Sequence, residues 1–365
     1  MFLEKIKINF LDGPYVEIMD VGLSEDFTVI FTDLDTNLVE FVINLKNGHW
    51  AKADKKYFLN WNIKIFKNDV LLVDYNLDLK NRPVLISLES SALGDSIAWF
   101  PYLDDFQKKH NCELVVTTYW NKLFDKRYPN ITFKEPGQNL SNYFAWYRVG
   151  VYDGDTNRNK VDWRINPLQK ISSDILGIDY VEKKPLLNYY GTPNENRFKR
   201  LISFSPNSTM QAKLWNLSDA WSNLNIKLNT ILQYQMIQVG KEKNIVSGDN
   251  IIDGTTDSIF TTIDNIANSD FFIGLSSGLS WLAWTLGKKV VMISGFSGPM
   301  HEFQSDVIRI INKNVCNSCI NKTEYIFDRG WDWCPAKNDF ICTKKITVES
   351  VFNEILFLIQ NKKIQ

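Results

Sequence analysis

The sequence has little that would mark it for export, for a membrane or for a nucleic acid. Lys and Arg number 41 against 42 Asp and Glu, a net charge of -1, so the basic excess typical of a nucleic-acid binder is missing. No apolar run reaches the ~18 residues that would span a bilayer. The start, MFLEKIKINFLDG, has charged residues where a signal peptide has an apolar core. A cytoplasmic protein with no nucleic-acid partner and no membrane span is expected.

Several common catalytic patterns are missing as well. The three histidines, His49, His110 and His301, are too few and too scattered for a histidine-based metal centre. No G-x-S-x-G motif is present, which argues against serine hydrolase chemistry of that kind. The glycine spacing of a Walker loop is also absent.

The composition is that of an ordinary globular chain of about two domains, with 365 residues of which 44% are hydrophobic. Residues 1–80 contain short runs rich in Val, Ile, Phe and Tyr, separated by turn signals such as Asn47-Gly48 and Asn68-Asp69. They predict an N-terminal β domain with strands at KIKINF, YVEIMDV, FTVIFTDL, LVEFVINL, NWNIKIF and LLVDYNL.

From residue 81 onward, strands alternate with helices, which predicts parallel sheets covered by helices. The Pro- and Asn-containing stretch at 185–197 has linker composition and divides this part in two. The predicted domains are therefore 1–80, 81–190 and 191–365. The predicted strands are 84–88, 112–118, 200–204, 234–239, 271–273 and 289–293, and the predicted helices are 96–110, 120–127, 167–176, 218–228, 261–267 and 279–286.

Leu93-Gly94-Asp95 directly follows the first strand of the first α/β domain. Ligands of open parallel sheets bind outside the carboxyl ends of the strands, where Gly94 permits close backbone approach and Asp95 can project a carboxylate. The alternative is that Asp95 only caps the following helix.

The segment Ser205-Pro206-Asn207-Ser208-Thr209, with Lys213 behind it, follows the first strand of the second α/β domain. Hydroxyls, backbone N–H groups and one lysine can hold a phosphate there. A polar loop with a solvated lysine is the other interpretation.

The third segment, Gly274 to Trp284, places Ser276, Ser277 and Gly278 before a helix. Its backbone N–H groups and helix dipole suit an anion. Trp284 is expected in the core, whereas the residues alone leave Trp281 open between the core and the site.

Four of the five cysteines form a C-x2-C-x14-C-x7-C pattern within 310–345. In a chain without an export signal this spacing predicts a metal site rather than disulfides. Four sulfur ligands would make it closed and structural, for zinc or for iron. The cysteines are Cys316, Cys319, Cys334 and Cys342.

These motifs together resemble a known family. Leu93-Gly94-Asp95 followed by Ala98-Trp99-Phe100-Pro101 is similar to the start of the acceptor domain of bacterial heptosyltransferases. The segments at 276–287 and 293–297, Glu302-Phe303, the cysteine tail and the β-rich front resemble the autotransporter protein O-heptosyltransferase branch.

The resemblance implies a GT-B fold, with two Rossmann-like domains facing a cleft and an additional small N-terminal β domain. It implies transfer of heptose from ADP-heptose to serine hydroxyls of a bacterial autotransporter-type protein before export, with inversion. It further implies structural iron, no metal at the transfer step, and a homo-oligomer.

The same resemblance implies a role for each candidate residue. Asp95 would be the general base, and the four cysteines would hold the ion. Thr209, Lys213 and the turn at Ser277-Gly278 would stabilise the pyrophosphate. The other predicted donor-binding residues are Gly240, Ser276, Leu279, Ser280 and Trp281.

Three alternatives remain open at this stage. The enzyme could use another nucleotide sugar or another acceptor. The chain could be a non-catalytic nucleotide-sugar-binding module, or the cysteine cluster could be a redox or iron sensor.

Overall fold

The computed structural model describes residues 5–19, 26–191, 200–243, 246–248, 250–328 and 330–362. These residues form an α/β structure with three sheets. The predicted linker lies partly outside the described residues, since 192–199 are not among them. The chain divides into two compact units, of which one comprises Met1–Ser91, Trp99–Trp163 and Gln169–Val181 and the other Ala92–Ala98, Arg164–Leu168 and Glu182–Gln365.

All six predicted N-terminal strands are confirmed, and one short strand was missed. The seven strands are β1 (Ile6–Leu11), β2 (Tyr15–Ile18), β3 (Asp26–Asp33), β4 (Leu38–Lys46), β5 (Trp50–Lys52), β6 (Trp61–Lys67) and β7 (Val70–Asn76). Asn68 and Asp69 both have positive φ angles, 46° and 63°, which is the two-residue turn expected between β6 and β7. Four of the strands form an antiparallel sheet in the order β4-β3-β6-β7.

The remaining three strands, β1, β2 and β5, belong to a different sheet. They complete a seven-stranded sheet with β8 (Pro83–Leu88), β9 (Glu113–Thr117), β10 (Thr132–Lys134) and β11 (Ala145–Val149), in the order β10-β9-β8-β11-β1-β2-β5. Within it, β1 runs parallel to β11, with Phe10 opposite Ala145. Residue 80 therefore does not separate one sheet from the next, because β11 uses β1 to pair its outer edge.

One predicted helix of the first α/β region is divided in two. The predicted 96–110 helix becomes α1 (Leu93–Trp99) and α2 (Pro101–His110), because Pro101 lacks a backbone N–H and opens a new helix. The region at 120–127 contains only a 3-10 turn, Asn121–Leu123, and α3 spans Leu168–Leu176. Among the described residues, no helix combines the length and apolar character needed to cross a bilayer.

The second unit contains a six-stranded parallel sheet in the order β14-β13-β12-β15-β16-β17. Its strands are β12 (Leu201–Phe204), β13 (Gln235–Gly240), β14 (Ile251–Thr255), β15 (Phe271–Leu275), β16 (Val290–Ile293) and β17 (Val307–Ile310). Its further helices are α4 (Ala220–Leu232), α5 (Ile259–Ala267), α6 (Gly278–Thr285), α7 (Ile341–Lys344) and α8 (Val348–Lys362). The order reverses between β12 and β15, so a crevice for a ligand is expected at their carboxyl ends.

A hydrophobic core joins α4 and α8 to this sheet. Leu224 and Leu228 on α4 are fully buried with Phe204 of β12. Trp221 contacts Phe204 at a ring-centroid distance of 5.4 Å. This packing supports the residues at the carboxyl edge of the six-stranded sheet.

We predict that Leu224→Ala lowers the free energy of unfolding by about 2–5 kcal/mol, because it leaves a cavity in this core. Ile226→Ala on the same helix is the matched control, because Ile226 is 54% exposed. Urea denaturation followed by tryptophan fluorescence measures both. Equal losses in the two variants would contradict the assigned faces of α4.

Candidate functional site

Two glycines bring the starts of α1 and α6 into backbone contact within the second unit. A Cβ atom on Gly278 would lie 3.0 Å from the backbone nitrogen of Gly94. A Cβ atom on Gly94 would lie 3.1 Å from Cδ1 of Trp281. Neither position has room for a side chain without movement. Asp95, in the first turn of α1, is half-buried beside this contact.

The turn before α6 presents backbone donors. Ser277 has extended backbone angles, φ -147° and ψ 170°, and its side chain makes no capping hydrogen bond. Its Oγ is enclosed and has no hydrogen-bond partner among the described residues. The first N–H groups of an eight-residue helix, together with this hydroxyl, form an arrangement suited to an anion.

A buried carboxylate organises the segment behind this turn. Glu302, 2% exposed, accepts a short hydrogen bond from Ser276 Oγ and another from Arg309 Nη1 at 2.6 Å. Arg309 also donates to Met292 Sδ at 3.0 Å. Burial alone would raise the pKa of Glu302, but Arg309, His301 and the Ser276 hydrogen bond hold that pKa below its usual value. Glu302 is therefore a buried anion at neutral pH.

The amino group of Lys213 lies near the same carboxylate. Lys213 ends the 3-10 turn Gln211–Lys213 after β12. Its side chain is partly exposed, whereas its amino group lies among protein atoms, and this desolvation lowers its pKa. The negative charges of Glu302 and Asp95 oppose that decrease, so the ammonium interacts with both carboxylates. The Asp95, Lys213 and Ser276 segments thus lie near one another.

Gly240 and Leu279 also come together. Gly240 ends β13 with a φ of 129°, and a Cβ atom there would lie 3.5 Å from Cδ1 of Leu279. Both residues therefore border the start of α6. Thr209 is exposed on the loop after β12.

Two of the predicted donor-binding residues are packing residues in this structure. Ser280 is fully buried and donates its hydroxyl to the carbonyl of Leu275 at 2.5 Å. Trp281 is 3% exposed and contacts Trp284 and Phe303 at ring-centroid distances of 5.5 Å and 5.0 Å. They support the turn from behind, and Trp284 is in the core as expected.

The fold brings the four cysteines near one another. Asn338 donates its backbone N–H to Cys334 Sγ and its side-chain amide to Cys316 Sγ, both at 3.3 Å. Burial, followed by the neighbouring thiolates, raises the pKa of Cys319 to about 11 and that of Cys342 to about 12. A metal ion would relieve this repulsion between thiolates, so the donor set suits one chemically. Across the described ranges, however, no three His, Cys, Asp or Glu side chains are arranged as a ready ligand shell.

The cysteine segment supports the turn that carries Lys213. The backbone N–H of Ala212 donates to the carbonyl of Trp331 at 3.2 Å. Asn216 donates to Thr343 Oγ1 at 3.0 Å, one residue after Cys342. Order in the cysteine segment therefore bears on the position of Lys213.

Sequence reasoning assigned no site role to Glu302 or Arg309. The pair connects the loop that follows β16 with strand β17, and the local sequence does not predict it. The one available signal was a single arginine in the otherwise apolar strand Val307–Ile310.

No family model matches the chain. The autotransporter heptosyltransferase BAHTCr of Citrobacter rodentium is 36% identical, over 94% of this chain and 87% of that protein. The autotransporter heptosyltransferase TibC of Escherichia coli O78:H11 is 34% identical, over 96% and 90%. BimC of Burkholderia thailandensis, described as an inactive autotransporter heptosyltransferase, is 26% identical, over 95% and 84%.

Solved structures of heptosyltransferases also match this chain. The crystal structure of TibC, described as an iron-containing dodecameric glycosyltransferase, matches with a TM-score of 0.89 at 33% identity, over 98% of this chain and 96% of that one. TibC was also solved in complex with ADP-D-beta-D-heptose. E. coli ADP-heptose lipopolysaccharide heptosyltransferase II shares the fold, with a TM-score of 0.54 at 14% identity over 77% of this chain and 99% of that one.

The fold and the phosphate-suited strand ends thus define a glycosyltransferase-type protein of the GT-B-like class. Within that class, this chain belongs to the autotransporter heptosyltransferase family.

We predict that Glu302→Gln lowers the free energy of unfolding by roughly 3–5 kcal/mol at neutral pH, because it leaves the buried Arg309 without its counter-charge. Glu324→Gln is the control, since its Lys322 pair is exposed at 3.8 Å and contributes no more than about 1 kcal/mol.

The difference between Glu302→Gln and the unmodified protein should depend on pH in one direction. The pKa of Glu302 is lower in the folded state than its ordinary value of 4.5. The contribution of Glu302 to the free energy of unfolding is complete above pH 4.5, its ordinary pKa. It is lost as the pH falls through the lower pKa of the folded state. Urea unfolding at a series of pH values measures this, and a difference as large in acid as at neutral pH would contradict the assignment.

Proposed function

We propose that this protein is an O-glycosyltransferase that moves heptose from ADP-heptose to serine hydroxyls of an autotransporter-type protein. The observation that carries the proposal is the meeting of Asp95, Lys213 and the start of α6 at the strand ends of the second unit. The names of the relatives supply the substrate class, and the TibC complex supplies the nucleotide sugar.

Asp95 is proposed as the general base. The serine oxygen bonds to the anomeric carbon of the heptose while the bond from that carbon to the β-phosphate oxygen breaks. The serine proton passes to the Asp95 carboxylate, and the electron pair leaves with ADP. Attack from the face opposite the leaving group inverts the anomeric centre.

The charge that develops on ADP is the second requirement. Lys213 supplies an amino group whose protonated form the carboxylates of Glu302 and Asp95 favour, and the N-terminus of α6 at Ser277 and Gly278 supplies oriented N–H groups. Arg309 is paired with Glu302, and Lys213 lies within the electrostatic influence of Asp95. We propose that no metal takes part in this step.

The remaining donor residues are proposed in supporting roles. Gly240 and Leu279 would border the nucleoside, and Ser276 and Thr209 would lie on either side of the pyrophosphate. Ser280 and Trp281 would hold the turn in shape from beneath.

For the cysteine set we propose iron, held by Cys316, Cys319, Cys334 and Cys342. TibC is described as iron-containing, and the thiols here lie close enough to influence one another. The ion would have a structural role, keeping this segment against the turn of Lys213. Zinc is the alternative ion.

Assembly, location and domain roles are proposed from the family. TibC is described as dodecameric, so we propose a homo-oligomer. Modification before export would take place in the cytoplasm. Residues 81–190 would serve the acceptor and residues 191–365 the donor, with residues 1–80 as an added β region.

BimC supports a second candidate function, because this relative, 26% identical in sequence, is described as inactive. A non-catalytic chain would still bind a nucleotide sugar. An enzyme for another sugar or acceptor would retain the Asp95 chemistry. A redox or iron sensor built on the cysteine cluster would release and rebind its metal ion reversibly.

We predict that Asp95→Asn lowers heptose transfer roughly 10²–10⁴-fold while ADP-heptose binding is retained, because the amide cannot accept the proton. Intact mass of a serine-rich acceptor measures transfer, and calorimetry measures donor binding. Asp104→Asn, which alters a surface pair with Lys108 on α2, is the control.

The outcomes separate the candidates. Donor binding without transfer in the unmodified protein supports the non-catalytic module. Transfer that survives Asp95→Asn removes Asp95 as the base, and transfer from a different nucleotide sugar identifies another donor.

We also predict that Cys334→Ser removes iron and weakens ADP-heptose binding, since the loosened segment no longer holds Ala212 and Lys213 through Trp331. Cys112→Ser is the matched control, because Cys112 lies in the other unit. Elemental analysis and donor calorimetry measure the two effects. Full iron content in Cys334→Ser, or equal loss in both variants, would contradict the prediction.

A further inference from the structure

The seven-stranded sheet of the first unit has its own polar carboxyl edge. Strands β1, β8 and β11 are parallel, so their carboxyl ends lie at the same edge. From β8 the chain moves outward to β9 and β10, then returns to β11 on the other side of β8. A sheet of this kind binds ligands at such a reversal point. The donor residues all lie in the other unit and do not use this edge.

The residues at the reversal point are in contact with one another. Arg148 at the end of β11 donates to Glu89 Oε2 at 2.8 Å, just after β8. A Cβ atom on Gly150 would lie 3.2 Å from Cβ of Glu89 and 3.3 Å from the hydroxyl of Tyr152. The missing side chain at Gly150 is what lets Tyr152 approach Glu89.

A second ion pair fixes the neighbouring loop. Arg158 donates to both carboxylate oxygens of Asp12 at 2.8 Å and 3.0 Å, and its guanidinium lies 5.1 Å from the ring centre of Tyr152. Asn159 accepts from the backbone N–H of Tyr152 at 2.8 Å. Tyr152 is therefore held at its backbone by Asn159 and at its ring by Arg158.

This edge nevertheless contains unused hydrogen-bonding capacity. The Tyr152 hydroxyl and Arg148 Nε are enclosed and have no hydrogen-bond partner within the described part of the chain. Such groups are costly unless a ligand or water pairs with them. Burial raises the pKa of Tyr152 to about 12, so the hydroxyl is a donor at neutral pH.

The charges at this edge indicate the kind of ligand. Arg148 is paired with Glu89, and Arg158 and Lys56 are both paired with Asp12. Arg158 is also paired with Asp155, and Lys52 donates to the carbonyl of Leu11, so each cation named here already has a partner. Among its described residues, the edge is left with donors and acceptors for a neutral polar group rather than with a free cation for a phosphate. A peptide backbone has both kinds of group.

We propose that Tyr152, Arg148 and Glu89 form an acceptor subsite that binds the peptide backbone of the serine-bearing segment. The Tyr152 hydroxyl and Arg148 Nε donate to peptide carbonyls, and Glu89 accepts a peptide N–H. The inference rests on the proposed function for the identity of the acceptor. In the sequence, Glu89 precedes Asp95 by only six residues.

The test is binding of a fluorescein-labelled, serine-rich synthetic peptide, followed by fluorescence anisotropy, together with transfer kinetics. Tyr152→Phe removes one oxygen atom and should weaken peptide binding about fivefold to tenfold. It should raise the acceptor KM by the same factor, with the affinity for ADP-heptose unchanged. Glu89→Gln should weaken peptide binding in the same direction.

Tyr147→Phe is the matched control. Tyr147, on β11, also has an enclosed hydroxyl without a partner among the described residues. Unlike Tyr152, it faces the core beside Phe106. Peptide binding should be unchanged in this variant, whose hydroxyl a ligand does not reach.

Several results would overturn the inference. They are no peptide binding by the unmodified protein, equal binding by Tyr152→Phe and Tyr147→Phe, or a loss of donor affinity in Tyr152→Phe that matches its loss of peptide affinity. Failure of the proposed function is a separate result. Peptide binding that depends on Tyr152 without any heptose transfer would retain the subsite and remove the transferase.

Discussion

The arrangement of the candidate site depends on one buried carboxylate. Glu302 binds Ser276 on one side and Arg309 on the other, and its charge balances the amino group of Lys213. These three groups come from different segments of the second unit, and each is enclosed where an unpaired charge or polar group would be costly. The anion therefore connects three segments at once. The turn before α6 and the turn of Lys213 can be rigid because Glu302 lies behind both.

Two further constraints decide what that rigid frame can bind. Gly94 and Gly278 let α1 and α6 approach backbone to backbone, which places Asp95 beside the N-terminus of α6. Ser280 and Trp281 are used for packing, so the groups that the turn still offers are mainly N–H groups and the hydroxyl of Ser277. Recognition by backbone donors suits a phosphate, whose oxygens need charge and direction rather than a particular side chain. The cysteine segment supports the same frame from the side of Lys213.

Much of the local structure could be predicted from the sequence. The N-terminal strands and the Asn68-Asp69 turn follow from β-branched runs and turn residues, and most helices of the second unit follow from apolar periodicity. Strands β5, β10, β11, β14 and β17 and helices α7 and α8 were not predicted, the strands because each is short and lacks a clear pattern. The helix at 96–110 was predicted as continuous, although Pro101 marks the break that divides it. Beyond the family resemblance, the sequence assigned no role to Glu302, because a charged residue in a loop does not indicate which distant residue it will pair with.

The sequence by itself determined the alternation of strands and helices, the position of Asp95 and Ser276–Gly278 at strand ends, and the resemblance to a family. Local composition and spacing are enough for these, because each depends on residues within about one element of each other. Only the tertiary structure decided that β1 pairs with β11, that Gly94 meets Gly278, and that Glu302 lies between Ser276 and Arg309. These contacts join residues far apart in the chain, and they form because unpaired strand edges and buried charges must find partners wherever the packed fold supplies them.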